Sequence, residues 1–586
     1  HGRMPMMSAS GRYVIVYNGE IYNAMDIRSS LFQGGARLRG HSDTEVLLEA
    51  ISQWGIRYSL RAVVGMFAFA LWDRQERRLT LARDRFGEKP LHWSRTGGSI
   101  LFASELTALR LHPSWSGTID RVALHGYLRL GWISTPRTIF NEAKKVPPAT
   151  LLTFDQHGQL LQEETYWSVA EAVRHGEASS LEGASTKEID ATVEATLIQA
   201  IRSQLVADVP VGAFLSGGID SSLITALAQA SSSAPIRTFT IGFQERAYDE
   251  TQHALSVARH IGADHTDLQI SPRQALDVVP ELPRIFGEPF ADTSQIPTIL
   301  VSRLARQSVT VVLSGDGGDE LFGGYERYRD NLRVRGLIQD LPPALRRPLS
   351  QLIMAAPPGS WNLLARGIAP LLPPRLRSPL LEPKLRTVAP CLDASGDELY
   401  LGQFSSWMEP DALMVRPPHE WESLHLPAAL EWVHDPVTRM MLIDTLHYLP
   451  DDILVKVDRA AMAASLETRA PLLDHRVFEL ASRLPLEETY ANGQGKLVLK
   501  RILARYVPTA LTDRPKMGFG VPIAEWLRGP LRSWAEDLLS SEMLRKDDLL
   551  RPQPIQLAWE EHLSGHADHA QAIWNVLMFQ AWLQEI

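Results

Sequence analysis

Between residues 13 and 167 the apolar positions come in short runs. Tyr13-Val-Ile-Val-Tyr17 is β-branched and aromatic, which predicts a strand, and it ends at Asn18-Gly19, where turn chemistry is expected. Runs at 66–72, 79–82, 91–93 and 100–103 predict further strands, separated by polar or glycine-containing turns such as 73–78 and Thr96-Gly97-Gly98. An antiparallel meander is expected. Val46, Leu47, Ala50 and Ile51 recur at helical spacing and predict a helix over 43–54, capped by Ser42 or Asp43. A first domain of sheet plus helix follows.

Residues 168–188 turn polar and small, as in Glu177-Ala-Ser-Ser-Leu-Glu-Gly-Ala-Ser185, and read as an exposed connector. Beyond it, helical patterns alternate with continuous β-branched runs at 209–215, 238–243 and 309–313, the pattern of strands buried on both faces of a parallel sheet. The second domain is expected to be α/β. Residues 341–390 are proline-rich, predicting short helices joined by stiff turns. Helical periodicity returns towards the carboxyl terminus, at 497–506 and 570–583. No repeat of fixed period is visible.

The chain has 586 residues, enough for two to four domains at about 150 residues each. A 45% hydrophobic content with 15 Trp excludes a wholly disordered chain. The formal charge of -9 and the lack of a long basic run exclude a nucleic-acid partner. No apolar stretch reaches the roughly 18 residues that span a bilayer, and no signal-peptide pattern opens the chain. A cytoplasmic protein without membrane association is expected. The single cysteine, Cys391, forbids an intrachain disulfide and a cysteine-cluster metal site.

Chemistry concentrates at two loops. In Val209-Pro-Val-Gly-Ala-Phe-Leu-Ser-Gly-Gly-Ile-Asp-Ser-Ser222 a buried strand runs into a glycine-hydroxyl turn and a helix. Successive N–H groups at Ser216, Gly217 and Gly218, with the helix dipole, make an anion nest. The hydroxyls of Ser216, Ser221 and Ser222 can donate to the same anion. Asp220 would repel a phosphate unless a hard cation such as Mg²⁺ lay between them. The Gly-Lys-Ser/Thr ending of the common triphosphate loop is missing, so a different phosphate cleavage is indicated. Thr310-Val-Val-Leu-Ser-Gly-Asp-Gly-Gly-Asp-Glu320 repeats the design and adds Asp316, Asp319 and Glu320. Parallel strands end at one sheet edge, so Asp220 and Asp319 can share a metal.

These residues resemble the glutamine-dependent asparagine synthetases of the B type, along nearly the whole chain. The second half carries the resemblance on Ser216–Ser222, Thr238-Phe-Thr-Ile-Gly-Phe243, the 313–325 loop, Ser465-Leu-Glu-Thr-Arg-Ala-Pro-Leu-Leu-Asp474 and Arg514-Pro-Lys-Met-Gly-Phe-Gly520. The first half carries it on Asn18-Gly-Glu-Ile-Tyr-Asn23, Ser42-Asp-Thr-Glu45, Gly65-Met-Phe-Ala-Phe-Ala70 and Ala82-Arg-Asp-Arg-Phe-Gly-Glu-Lys-Pro90. The resemblance implies an α+β glutaminase domain of the N-terminal-nucleophile fold, a four-layer αββα arrangement, over 1–167. A linker over 168–188 leads to an α/β ATP-pyrophosphatase domain, of the adenine nucleotide alpha hydrolase type with a helical carboxyl-terminal part, over 189–586. ATP would adenylate the β-carboxylate of aspartate, and ammonia from glutamine would displace AMP to give asparagine. A homodimer is a further expectation of the family.

By the same resemblance, Leu215, Ile241, Ser314 and Gly315 contact ATP, and Asp220 and Asp319 hold Mg²⁺. Lys496 neutralises the departing pyrophosphate, against the plainer reading of a surface helix lysine. Asp316 lies near the intermediate. Asn18 and Gly19 supply an oxyanion hole for glutamine, Glu20 adds to that site through its backbone, and Asp43 pairs with the α-ammonium of glutamine. Arg469 and Asp458 fall in or near matched blocks without a deducible role. Gly287-Glu-Pro-Phe-Ala-Asp-Thr-Ser294 is expected to border the acceptor pocket, and a relative activating a sugar acid, a peptide or a β-lactam precursor is the alternative reading.

The family's glutaminase nucleophile is an N-terminal cysteine. The chain opens with His1, and Cys391 reads as an incidental small residue of the second half. The expectation is therefore a chain lacking roughly 50 to 60 leading residues, about three or four strands, and lacking glutaminase activity. The retained Asn18, Gly19, Glu20 and Asp43 favour a fragment over a natural variant.

Overall fold

The computed structural model describes residues 3–243, 249–356, 389, 392, 396–419, 424, 426–513 and 520–586. Cys391, residues 514–519 and most of the proline-rich stretch lie outside them. The described start of that stretch is one helix, Pro343–Ala355.

The first part carries β1 (Met6–Met7), β2 (Tyr13–Ile21), β3 (Gly65–Asp73), β4 (Arg78–Arg83), β5 (His92–Thr96), β6 (Ser99–Ala103), β7 (Ala143–Lys145), β8 (Thr150–Phe154) and β9 (Leu160–Thr165). They build two antiparallel sheets, ordered β1-β2-β3-β4-β8-β9 and β6-β5-β7. The expected single meander therefore stops at β4. The chain leaves the first sheet there because it winds around the buried Asp84 carboxylate, which accepts the N–H groups of Phe67 (3.2 Å), Glu88 (2.8 Å) and Lys89 (2.8 Å).

Alternation along β3 builds the layers. Phe67, Phe69 and Leu71 face the helix Asp43–Trp54 with its Leu47, Leu48 and Ile51. Ala68 and Ala70 face the other way, where Leu152 and Phe154 meet Trp93 and Phe102 of the second sheet. Small residues at 68 and 70 leave room for the rings opposite, such as the Trp93–Phe154 pair at 5.0 Å. The helix Leu106–Arg110 covers the outer face through Leu106 and Leu109. Helix, sheet, sheet and helix give the four layers, and Ser42 caps the long helix by accepting the N–H of Glu45.

One local expectation fails. Asn18-Gly19 is not a turn: β2 runs on to Ile21, with Asn18 opposite Ala68 and Gly19 opposite Phe67. Gly19 is needed for close approach, since a Cβ there would collide with the Met66 carbonyl and the Phe67 backbone.

The second part holds a parallel sheet of β10 (Val211–Phe214), β11 (Arg237–Phe243), β12 (Asp264–Ile270), β13 (Val311–Leu313) and β14 (Glu467–Arg469), ordered β12-β11-β10-β13-β14. The connector at 168–188 is not bare. It contains the helix Val169–Ala178, with Val169, Ala172 and Gly176 buried, and Gly176 packs so tightly on Ser482 that a Cβ has no room. The two parts are clamped by Tyr127, whose hydroxyl donates to the Asn575 carbonyl at 2.8 Å, and by Thr135, whose N–H and hydroxyl both donate to Asp451.

Candidate functional site

The carboxyl ends of β10 and β13 lie side by side, and both loops of interest start there. Just after β10, Leu215 donates its N–H to the Phe239 carbonyl (3.0 Å) on β11, and Leu215 and Ile241 of β11 are both buried. The chain then turns at Gly217 with φ 77°, packed so that a Cβ would lie 2.9 Å from the Ala254 nitrogen. The Ser216 N–H donates to Ser221 Oγ at 3.2 Å, the two hydroxyls are 3.0 Å apart, and the Gly218 N–H donates to Ser216 Oγ at 3.3 Å. A compact hydroxyl-lined turn results at the start of the helix Ile219–Ser231. Ser222 is fully buried, unlike its neighbour Ser221.

The second loop presses on the first. Ser314 donates its N–H to the Arg469 carbonyl at 2.9 Å. A Cβ on Gly315 would lie 2.9 Å from Asp220 Cβ, and one on Gly318 2.5 Å from Asp220 Oδ1. At Gly324 a Cβ would strike both Asp319 and Lys496. Glycine at these positions clears the space into which Asp220, Asp319 and Lys496 converge.

Lys496 is no surface lysine. It is 6% exposed, holds a left-handed backbone (φ 59°) just before the helix Leu497–Leu503, and donates its N–H to the Phe322 carbonyl. Its ammonium bonds Asp220 Oδ2 and lies 2.7 Å from Asp319 Oδ1. Burial alone would lower its pKa, but the two carboxylates outweigh burial and raise it.

A second charged group flanks the loop. Lys456 bonds Asp292 Oδ2 and Ser294 Oγ, each at 2.8 Å. Burial pushes Asp316 up, against the nearby Lys456 charge. Burial and Asp319 push Glu320 to about 7, while the Tyr325 hydroxyl donates to its Oε1 at 2.5 Å. Asp292 and Ser294 sit in the segment expected to border the acceptor. Lys456 was not legible, because one lysine inside an apolar helix carries no local signal.

In the first part, Asp43 Oδ2 accepts from the Tyr17 hydroxyl (3.0 Å) and the Ile21 N–H (3.1 Å), which sets it against the strand holding Asn18, Gly19 and Glu20. Asn18 is exposed and donates to Ser104 Oγ at 3.4 Å. The Glu20 carboxyl, pushed to about 7 by burial and by Asp43, lies 3.6 Å from Arg469. Arg469 thus links β2 to Ser314, and Asp458 pairs with Lys89 at 3.4 Å.

Mg²⁺ prefers one or two carboxylates with substrate phosphates and water over an all-protein cage. Asp220 and Asp319 fit that demand: both already converge on one cationic nitrogen. Among the described residues no group of three or more His, Cys, Asp or Glu is arranged for a metal. No described helix is long and apolar enough to cross a membrane.

A family model described as asparagine synthase matches residues 192–584, and one described as a glutamine amidotransferase domain matches residues 1–167. A Mycobacterium tuberculosis H37Rv protein is 36% identical over 593 residues, covering 99% of this chain and 86% of its own length. Asparagine synthetase (glutamine-hydrolyzing) 1 of Bacillus subtilis is 31% identical over 587 residues, covering 99% of this chain and 87% of its own. A solved structure of an allosteric regulatory enzyme of purine biosynthesis is 16% identical, covers 46% of this chain and 62% of its own, and has a TM-score of 0.22. The amidotransferase match overturns the expectation of an absent glutaminase step. It begins at residue 1, and so lends no support to a missing leading block.

Proposed function

The chain belongs to the asparagine synthase family, and from that premise we propose that it makes asparagine from aspartate and ATP, with nitrogen from glutamine or ammonia. It is a ligase. A β-carboxylate oxygen of aspartate attacks the α-phosphorus of ATP as the bond to pyrophosphate breaks. Ammonia then attacks the β-carbonyl carbon, the carbon–oxygen bond to AMP breaks, and asparagine, AMP and a proton leave.

In this reading residues 1–167 supply nitrogen, 168–188 connect, and 189–586 activate aspartate. Leu215 and Ile241 flank the adenine. The turn of Ser216, Gly217, Gly218 and Ser221 cradles the departing pyrophosphate, and Ser314 and Gly315 close on the nucleotide from the other loop. Ser222 backs the turn from inside the helix. Asp220 and Asp319 would hold Mg²⁺, which supplies positive charge to the phosphates as the bond breaks. Two carboxylates and one ammonium leave the cluster one charge negative, and a bound Mg²⁺ makes it one charge positive, the sign a polyphosphate needs. Asp316 borders the intermediate. Asn18 and Gly19 stabilise the oxyanion from glutamine, Glu20 lines that site through its backbone, and Asp43 takes the α-ammonium. A cytoplasmic homodimer is the setting this reading expects.

The convergence of Lys496, Asp220 and Asp319 between two glycine-cleared loops carries the proposal. The alternative acceptors are not favoured by the relatives. Pyrophosphate release measured with a panel of carboxylic acids tests it: aspartate should stimulate release, and no stimulation by aspartate would refute the reading.

A further inference from the structure

Glu88 stands between the two parts, on the loop wound around Asp84. Glu88 lines three small neighbouring cavities. The smallest is bounded by Tyr22 and Gly65 beside the end of β2, and by Leu473 and His475 of the second part. The next opens on Ser314 and Asp316. The largest lies between Leu91 and His92 on one side and Phe286 and Val455 on the other. Glu88 alone lines all three.

The other carboxyls around it are committed. Asp84 accepts backbone N–H groups, Asp458 pairs with Lys89, and Asp474 bonds Arg476. Among the described residues, no hydrogen bond or ion pair to the Glu88 carboxyl is made. Burial, with the negative Asp84, Asp474 and Asp316 outweighing Lys89, pushes its pKa well up. A half-buried carboxyl without a donor is costly. A small cation rich in N–H groups removes that cost, and the two larger cavities have room for a water-sized ion.

We propose that Glu88 is an ammonium-binding site, holding the nitrogen donor between the end of β2 and the loop of Ser314 and Asp316. This rests on the synthetase reading above. A carboxylate oxygen of Glu88 takes one proton from ammonium, whose N–H bond breaks and leaves its electron pair on neutral ammonia. Ammonia enters the cavity bordered by Asp316, and the proton on Glu88 passes to solvent water.

The test uses the full chain with ammonium chloride as nitrogen donor, comparing wild type with Glu88→Gln, which keeps the shape. Aspartate-dependent exchange of labelled pyrophosphate into ATP is measured first, because it needs no nitrogen donor. Its absence in the wild type would refute the synthetase reading itself. With exchange present in both, the variant should show the KM for ammonium raised about tenfold, as loss of a charge-assisted hydrogen bond predicts, and unchanged KM values for ATP and aspartate. An unchanged KM for ammonium would overturn the Glu88 assignment alone. Loss of exchange in the variant would also overturn it, since Glu88 would then be structural.

Discussion

Lys496 Nζ lies 2.7 Å from Asp319 Oδ1, and the contact exists because Gly324 leaves no side chain between them. The same ammonium bonds Asp220 of the other loop. One lysine therefore ties the loops that follow β10 and β13 into a single charged unit.

Replacing Lys496 by Met removes the buried ammonium between two half-buried carboxylates, Asp220 and Asp319. One-sided removal of a buried ionic partner costs about 3–5 kcal/mol, so the urea midpoint should fall clearly. Mg²⁺ should recover part of the loss, because it restores the missing positive charge. Pyrophosphate release should drop by about 10² or more. A variant of wild-type stability, with no response to Mg²⁺, would contradict the assignment.

Gly318 and Gly336 make a matched contrast. A Cβ at Gly318 would lie 2.5 Å from Asp220 Oδ1, whereas Gly336, within the helix Glu326–Gln339, has nothing within 4 Å. Gly318→Ala should raise the KM for ATP by about tenfold, the effect of displacing a charged contact. Gly336→Ala should leave kinetics alone and stabilise by about 0.5–1 kcal/mol. Steady-state kinetics and thermal melts on the two variants read the difference.

Glu320 gives a pH dependence of defined sign. The folded chain keeps its proton up to about pH 7, the unfolded chain only to the ordinary value of 4.5. Between these values the folded state binds more protons, so Glu320 makes stability fall as pH rises. Glu20, also near 7, acts in the same direction. Glu320→Gln should flatten the fall in urea midpoint across that window, and an unaltered slope would count against a protonated Glu320.

Mg²⁺ with ATP should raise the melting temperature, by about 2.7 kcal/mol of added stability at a hundredfold excess over Kd. Asp319→Asn should reduce the shift seen with Mg²⁺ and ATP more than the shift seen with ATP alone. Equal shifts in wild type and variant would remove Asp319 from the cation site.

Much of the frame was legible in the residue pattern. Continuous β-branched runs mark β10, β11 and β13 because both their faces are buried, and Ser42 with the period at 46, 47, 50 and 51 marks its helix. The polar β12 was not legible, since most of its residues face outward at the sheet edge. Asn18-Gly19 misled, because a glycine serving close strand approach has the same local composition as one serving a turn. The two loops declared themselves through glycine, hydroxyl and carboxylate spacing. Lys496 was marked only by the family resemblance and Lys456 not at all, because the carboxylates that face them come from remote segments that no window of sequence contains.

The most direct measurement follows one oxygen atom. With ATP, ammonium and aspartate carrying heavy oxygen in its β-carboxylate, attack on the α-phosphorus moves a labelled oxygen into AMP as asparagine forms. Labelled AMP with unlabelled pyrophosphate is the predicted result, and asparagine formed alongside unlabelled AMP would contradict the account.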